Sequence, residues 1–222
     1  PTLSAQVINV DVGVYDITFV QNLDRRADPY HMAKGASLYE DRISYGKDGW
    51  SLTVDEDGLT GYGSVYGKVA KFRLKRVELE SPTLGKKAPK GAKVLFDGSN
   101  FDAWVHTDGR PMTWTLTEEG YMEINPSAAH KNAKPPIGGP IMTKDTFKDV
   151  RYHMEFRYPV EPGKSGQGRG NSGLFFQGSD NAYAFEVQIL NSYGLGGYWN
   201  ECGGLYRMVA PKVNAARPPL QW

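Results

Sequence analysis

Two glutamates, Glu155 and Glu186, stand in segments whose side chains alternate strictly between apolar and polar. In the first segment Val150, Tyr152, Met154, Phe156 and Tyr158 take one parity, and Arg151, His153, Glu155 and Arg157 the other. In the second, Tyr183, Phe185, Val187 and Ile189 alternate with Ala184, Glu186, Gln188 and Leu190. Alternation of this length predicts two strands, each with one face buried. A Gly-Arg-Gly-Asn-Ser-Gly turn at 168–173 lies between them. If both strands join one sheet, the two carboxylates share its open face with His153, Arg157 and Gln188. Paired carboxylates among amide and cationic donors suit proton transfer to and from a sugar, or sugar binding alone.

The elements that must position these groups are read as strands throughout. No apolar 3.6-residue period is sustained over several turns, and glycine (26) and proline (14) are frequent among 222 residues. Together these predict an all-β protein with many turns. The expected organisation is a small β-rich domain over 1–80, a linker over 81–93 and a further β domain over 94–222. In the first part, Trp50 to Val54 and Leu59 to Tyr62 form a hairpin around Asp55-Glu56-Asp57-Gly58, with glycine at a positive φ. Val69 to Leu79 reads as a strand whose parity changes between Leu74 and Val77, which predicts a bulge. Ser81 to Lys93 holds too little apolar residue for a core element. Beyond it, Val94 to Phe96 reads as a strand running into a turn. A hairpin pairs Thr113 to Thr117 with Tyr121 to Asn125, and a long loop follows from Asn125 to Pro140.

Composition narrows the function. The net charge is +1, from 26 basic and 25 acidic residues, so the whole chain has no polyanion-binding field and nucleic acid is not an expected partner. No run of 18 apolar residues occurs, which excludes a membrane-spanning helix. A first residue that is proline rather than methionine reads as a processed chain, and a removed signal peptide predicts an extracytoplasmic location, periplasmic or secreted. The single cysteine, Cys202, permits neither an internal disulfide nor a cysteine zinc cluster, and reads as a small apolar residue.

A set of short pieces in fixed order resembles the 3-keto-disaccharide hydrolase family, whose fold is a concanavalin-like jelly roll. They are Leu95-Phe96-Asp97-Gly98 with Trp104; Thr143-Lys144 with Phe147 and Asp149; Glu155-Phe156-Arg157; and Asn171-Ser172-Gly173. They continue with Tyr183, Glu186-Val187-Gln188-Ile189, Gly204-Leu205-Tyr206, Ala210-Pro211 and Arg217-Pro218-Pro219 with Trp222. The first 80 residues and the Ser-Pro-Thr-Leu-Gly segment look like an extension that precedes this domain in some relatives. Asn191 departs from the pattern, which often has aspartate there. The family's pattern also runs past the position of Trp222, so the resemblance implies an incomplete jelly roll, completed by further polypeptide or by a neighbouring subunit.

The resemblance implies cleavage of a glycoside with a ketone at carbon 3. Glu155 and Glu186 are then the candidate acid and base, with His153, Arg157, Arg169, Asn171, Gln188, Trp199 and Tyr206 as saccharide-binding groups. Each has a plainer reading: glutamates and a lone histidine on an open strand face are commonly solvated, and Asn171-Ser172-Gly173 also suits a turn that launches a strand. Trp114 and Tyr183 take core parity, while Trp199, in a Gly-Gly-Tyr-Trp-Asn loop, is the better partner for a pyranose ring. His106 and His130 fall in loops without ligand spacing. No motif demands a metal, and a divalent cation such as calcium would have the carboxylate pair and carbonyl-rich loops as ligands. The alternatives to an enzyme are a non-catalytic carbohydrate-binding module and a structural or assembly β-sandwich.

Overall fold

The computed structural model describes residues 3–23, 29–124, 133, 136–176 and 185–222. The fold is all-β, and the described residues contain no α-helix, with one 3₁₀ turn at Gly166–Gly168. Seven strands form an antiparallel sheet in chain order: β1 (Ser4–Asp11), β2 (Val14–Val20), β3 (His31–Tyr39), β4 (Arg42–Lys47), β5 (Trp50–Asp55), β6 (Gly58–Val65) and β7 (Lys68–Lys75). The remaining ladders are two-stranded: β8 (Trp104–His106) with β11 (Ile141–Thr143), β9 (Thr115–Leu116) with β10 (Met122–Glu123), and β12 (Asn171–Phe176) with β13 (Phe185–Leu190). The chain forms two compact units, one of Pro1–Leu84 with Glu155–Trp222 and one of Gly85–Met154.

Each strand of the seven-stranded sheet supplies alternate residues to one core. Ile17, Phe19, Ala33, Ala36, Tyr45, Trp50, Leu52 and Leu59 are buried there, and Phe72 and Leu74 pack against them. The Asp55 to Gly58 turn forms as its sequence predicts: Asp55 Oδ1 accepts from the N–H groups of Asp57 (3.0 Å) and Gly58 (3.2 Å), and Gly58 takes φ 147°. Trp50 lies flat against the backbone of Gly63 on one side, with the His31 imidazole stacked on it at 4.0 Å. A Cβ at Gly63 would overlap the indole. Gly63→Ala is therefore expected to destabilise the protein by about 1–3 kcal/mol through overpacking. Urea unfolding checks this, and an unchanged midpoint would remove the close approach as a constraint.

Three predicted elements differ. The strand expected over Val69 to Leu79 stops at Lys75 with a regular register from Val65↔Lys68 to Gly58↔Lys75. The parity change is the chain leaving the sheet, not a bulge, and Arg76 N–H turns to the Asp57 carbonyl at 2.9 Å. Val94 to Phe96 and Val150 to Tyr158 carry no ladder. Alternation shows that one face could be covered, but a strand also needs a neighbour for its backbone groups, and here no ladder forms, although the Tyr158 carbonyl accepts from the distant Leu220 N–H at 2.9 Å.

The hairpin around Glu118-Glu119-Gly120 is present as β9 and β10, closed by Thr117 N–H to Tyr121 O at 2.9 Å. Of the loop from Asn125 to Pro140, residues 125–132 and 134–135, with His130 among them, lie outside the described residues, as does Tyr183. His106 ends β8 rather than sitting in a loop, and it is 1% exposed. Its Nδ1 pairs with the Pro140 carbonyl (3.0 Å), while Nε2 accepts from Thr113 N–H (3.1 Å). Trp114 is only half-buried and donates its indole N–H to Gly139 O at 3.0 Å, so its place is set by a hydrogen bond as much as by core packing.

Candidate functional site

The β12–β13 ladder assembles the site. Its register pairs Asn171 with Leu190, Gly173 with Gln188 and Phe175 with Glu186. Directly opposed residues of an antiparallel pair point to the same face, so Asn171, Gln188 and Glu186 project together. A Cβ at Gly173 would overlap the Glu186 carboxylate, which lies across that glycine. Glu186 is half-buried, and burial raises its carboxyl above the ordinary range.

Gln188 was expected on an open face but is 2% exposed. Its amide is satisfied inside: Nε2 donates to Asn171 Oδ1 at 2.8 Å, and Asn171 Nδ2 donates on to Gln167 Oε1 at 3.1 Å. Residues 203–206 run along the other edge of β13 and cover it. Gly203 N–H donates to Gln188 O, Gln188 N–H to Gly204 O, and Tyr206 N–H to Glu186 O, each at 2.9 Å. Leu190, on the same parity, is fully buried, so this face is closed at one end and opens toward Glu186.

The 203–206 segment brings Tyr206 to Trp199, the two rings meeting edge to face at 5.5 Å. Trp199 is 42% exposed and so presents a free ring surface. Arg169 is held by backbone, its Nη1 donating to Tyr193 O (3.0 Å) and Asn191 O (3.3 Å). Burial lowers its pKa, and Glu161 and Glu201 oppose that shift. Arg157 lies with its guanidinium 4.8 Å over the Trp222 ring. Glu155 is half-buried; His153 is exposed and belongs to the other compact unit.

The sequence reading missed Glu161 and Glu201. Glu161 Oε2 accepts from Gly170 N–H, beside Arg169 and Asn171. Glu201 is 5% exposed, and its Oε2 accepts from Gly197 N–H at 2.5 Å, bracing the loop that carries Trp199. Both stand in irregular chain, where no period marks a side chain as inward; a glutamate within a glycine-rich loop was the only available signal. Glu201→Ala is expected to cost about 1–3 kcal/mol by leaving a part-buried N–H without its acceptor. A denaturation midpoint equal to the parent's would show that water replaces the carboxylate.

Cys202 touches a polar group: the Tyr158 hydroxyl donates to its Sγ at 3.1 Å, and burial raises the Tyr158 pKa further from the physiological range. Among the described residues no group of three or more His, Cys, Asp or Glu side chains is placed to hold a metal ion. No helix of the described residues is long and apolar enough to cross a membrane.

What this face can do is bind and move protons: one carboxyl with raised affinity for its proton, an amide pair fixed beside it, and an aromatic ring nearby in sequence and structure. Neither a curated protein nor a solved structure matches the chain. The family model described as the 3-keto-alpha-glucoside-1,2-lyase-like domain matches residues 91–222, more than half of the sequence and all of β12, β13 and the 196–206 loops. The chain belongs to that family of 3-keto-alpha-glucoside-1,2-lyase-like domains.

Proposed function

We propose that the protein cleaves glycosides whose sugar carries a ketone at carbon 3, by elimination followed by addition of water. The observation that carries this reading is the Glu186 carboxyl, raised by burial and lying on one face with the Gln188–Asn171 amide pair. A ketone at C3 acidifies the C2 proton. A carboxylate takes that proton, the electron pair forms the enolate, and collapse of the enolate breaks the bond from C1 to the glycosidic oxygen. The departing oxygen takes a proton from an acid, and water then adds at C1 as a proton returns to C2. A base with raised proton affinity is the stronger acceptor for the first step, which favours Glu186 there. Glu155 is the candidate for the acid, and Trp199 for stacking on a ring.

The test is turnover of a 3-keto glucoside in D₂O. Aglycone release with deuterium at C2 of the sugar is the expected result. Release without deuterium would replace elimination with direct displacement at C1. Sugar affinity without release would select a carbohydrate-binding module, a reading that the exposed Trp199 ring beside Tyr206 also supports.

A further inference from the structure

We infer that the outer face of β5–β7 is a binding surface for an anionic polysaccharide, a glycan bearing carboxylate or sulfate groups. It lies in residues outside the family match and is independent of the proposed reaction. In β7 the apolar residues Phe72 and Leu74 pack toward the core, which turns Lys71, Arg73 and Lys75 outward on one face. Successive cations on such a face are spaced by two residues, about 6.8 Å. All three are exposed, and none of them ion-pairs among the described residues except Arg73, which reaches exposed Asp57 at 3.8 Å.

Across the ladder, Lys71 is paired with Tyr62 and Arg73 with Thr60, and Thr60 is paired in turn with Thr53. Tyr62 is 46% exposed, so an aromatic face stands beside the first cation and hydroxyls beside the second. At the end of the row, Asp57, Arg73 and Lys75 line an open depression of about 310 Å³. Spaced cations for acidic groups, a ring for a pyranose face and hydroxyls for sugar oxygens are the parts that an acidic glycan requires. The whole chain carries a net charge of only +1, and Asp55, in register with Gly58 and Lys75, stands with Asp57 at one end of the row, so binding rests on the local cations near Tyr62 and not on a field of the whole molecule. Lysines on an edge strand also discourage pairing between sheets, a role that needs no ligand.

Affinity electrophoresis in gels containing de-esterified polygalacturonate, dextran sulfate or neutral dextran separates these roles. The parent protein is expected to be retarded by at least one of the two acidic polymers and not by dextran, with the retardation lost at high salt. The triple variant Lys71→Gln, Arg73→Gln, Lys75→Gln is expected to bind at least about tenfold more weakly, and Tyr62→Ala about threefold more weakly. The triple variant should melt as the parent does and turn over a 3-keto glucoside at the parent's rate, which keeps this result separate from that of the β12–β13 site. No retardation by either acidic polymer, or equal retardation of parent and triple variant, would overturn the proposal. So would a single-stranded oligonucleotide that binds more tightly than the polysaccharides with Tyr62→Ala inert.

Discussion

Replacing Glu186 with glutamine is expected to cut turnover of a 3-keto glucoside at least about a hundredfold while leaving the protein no less stable at neutral pH. The two halves of this result have one cause. Burial raises the Glu186 pKa in the folded chain, so the folded state holds this proton more tightly than the unfolded state does. The stabilisation is fully present below the unfolded value, about 4.3, and is lost as pH rises through the folded one. At pH 7 the ionised carboxylate is a cost to the fold that glutamine does not carry. Thermal midpoints at pH 4 and pH 7 should therefore move in the variant's favour at the higher pH. Glu155→Gln is expected to lower turnover by about as much if it is the partner acid. Near-parent rates in both variants would leave the carboxylates as bystanders, and a Glu186→Gln difference that ignores pH would remove burial as the cause.

Phe19→Ala is expected to cost about 3–5 kcal/mol, the largest effect on stability. Phe19 is fully buried, and its ring centroid lies 5.1 Å from that of Trp50, 5.6 Å from Phe72 and 6.2 Å from His31. Residues from β2, β3, β5 and β7 thus meet at one side chain. Val69→Ala, at a residue 80% exposed on the same sheet, should stay within about 0.5 kcal/mol. Urea unfolding of both variants gives the comparison, and a cost below about 1 kcal/mol for Phe19→Ala would mean that the cavity collapses.

The parts legible from sequence were those whose causes are local. The β5–β6 hairpin follows from Asp55 capping its own turn, and the β9–β10 hairpin from Glu118-Glu119-Gly120. The parity of Glu186 and Gln188 correctly set them on one face of β13. It did not show that Gln188 would be buried, because the groups that close over it, Asn171 and residues 203–206, come from elsewhere in the chain. The same limit explains Val150 to Tyr158: its alternation is real, yet pairing is a property of two segments. Glu201 was silent because a loop glutamate that accepts a backbone N–H has the same letter as a solvated one.

The order of pairing in the large sheet bears on how the chain folds. Every ladder from β1 to β7 joins sequence neighbours, so each closes a short loop and the sheet can zip from any hairpin outward as it emerges during synthesis. The contacts that seal β1 are of the opposite kind: Gly163 N–H reaches Val10 O at 2.9 Å, and Gly194 packs against Ile8. Both partners lie more than 150 residues further along the chain, so this part of the cover of β1 is made late. The first unit thus starts from local hairpins yet is completed only by contacts of long sequence separation, and while those are unmade the side of β1 that they seal is open to misassembly.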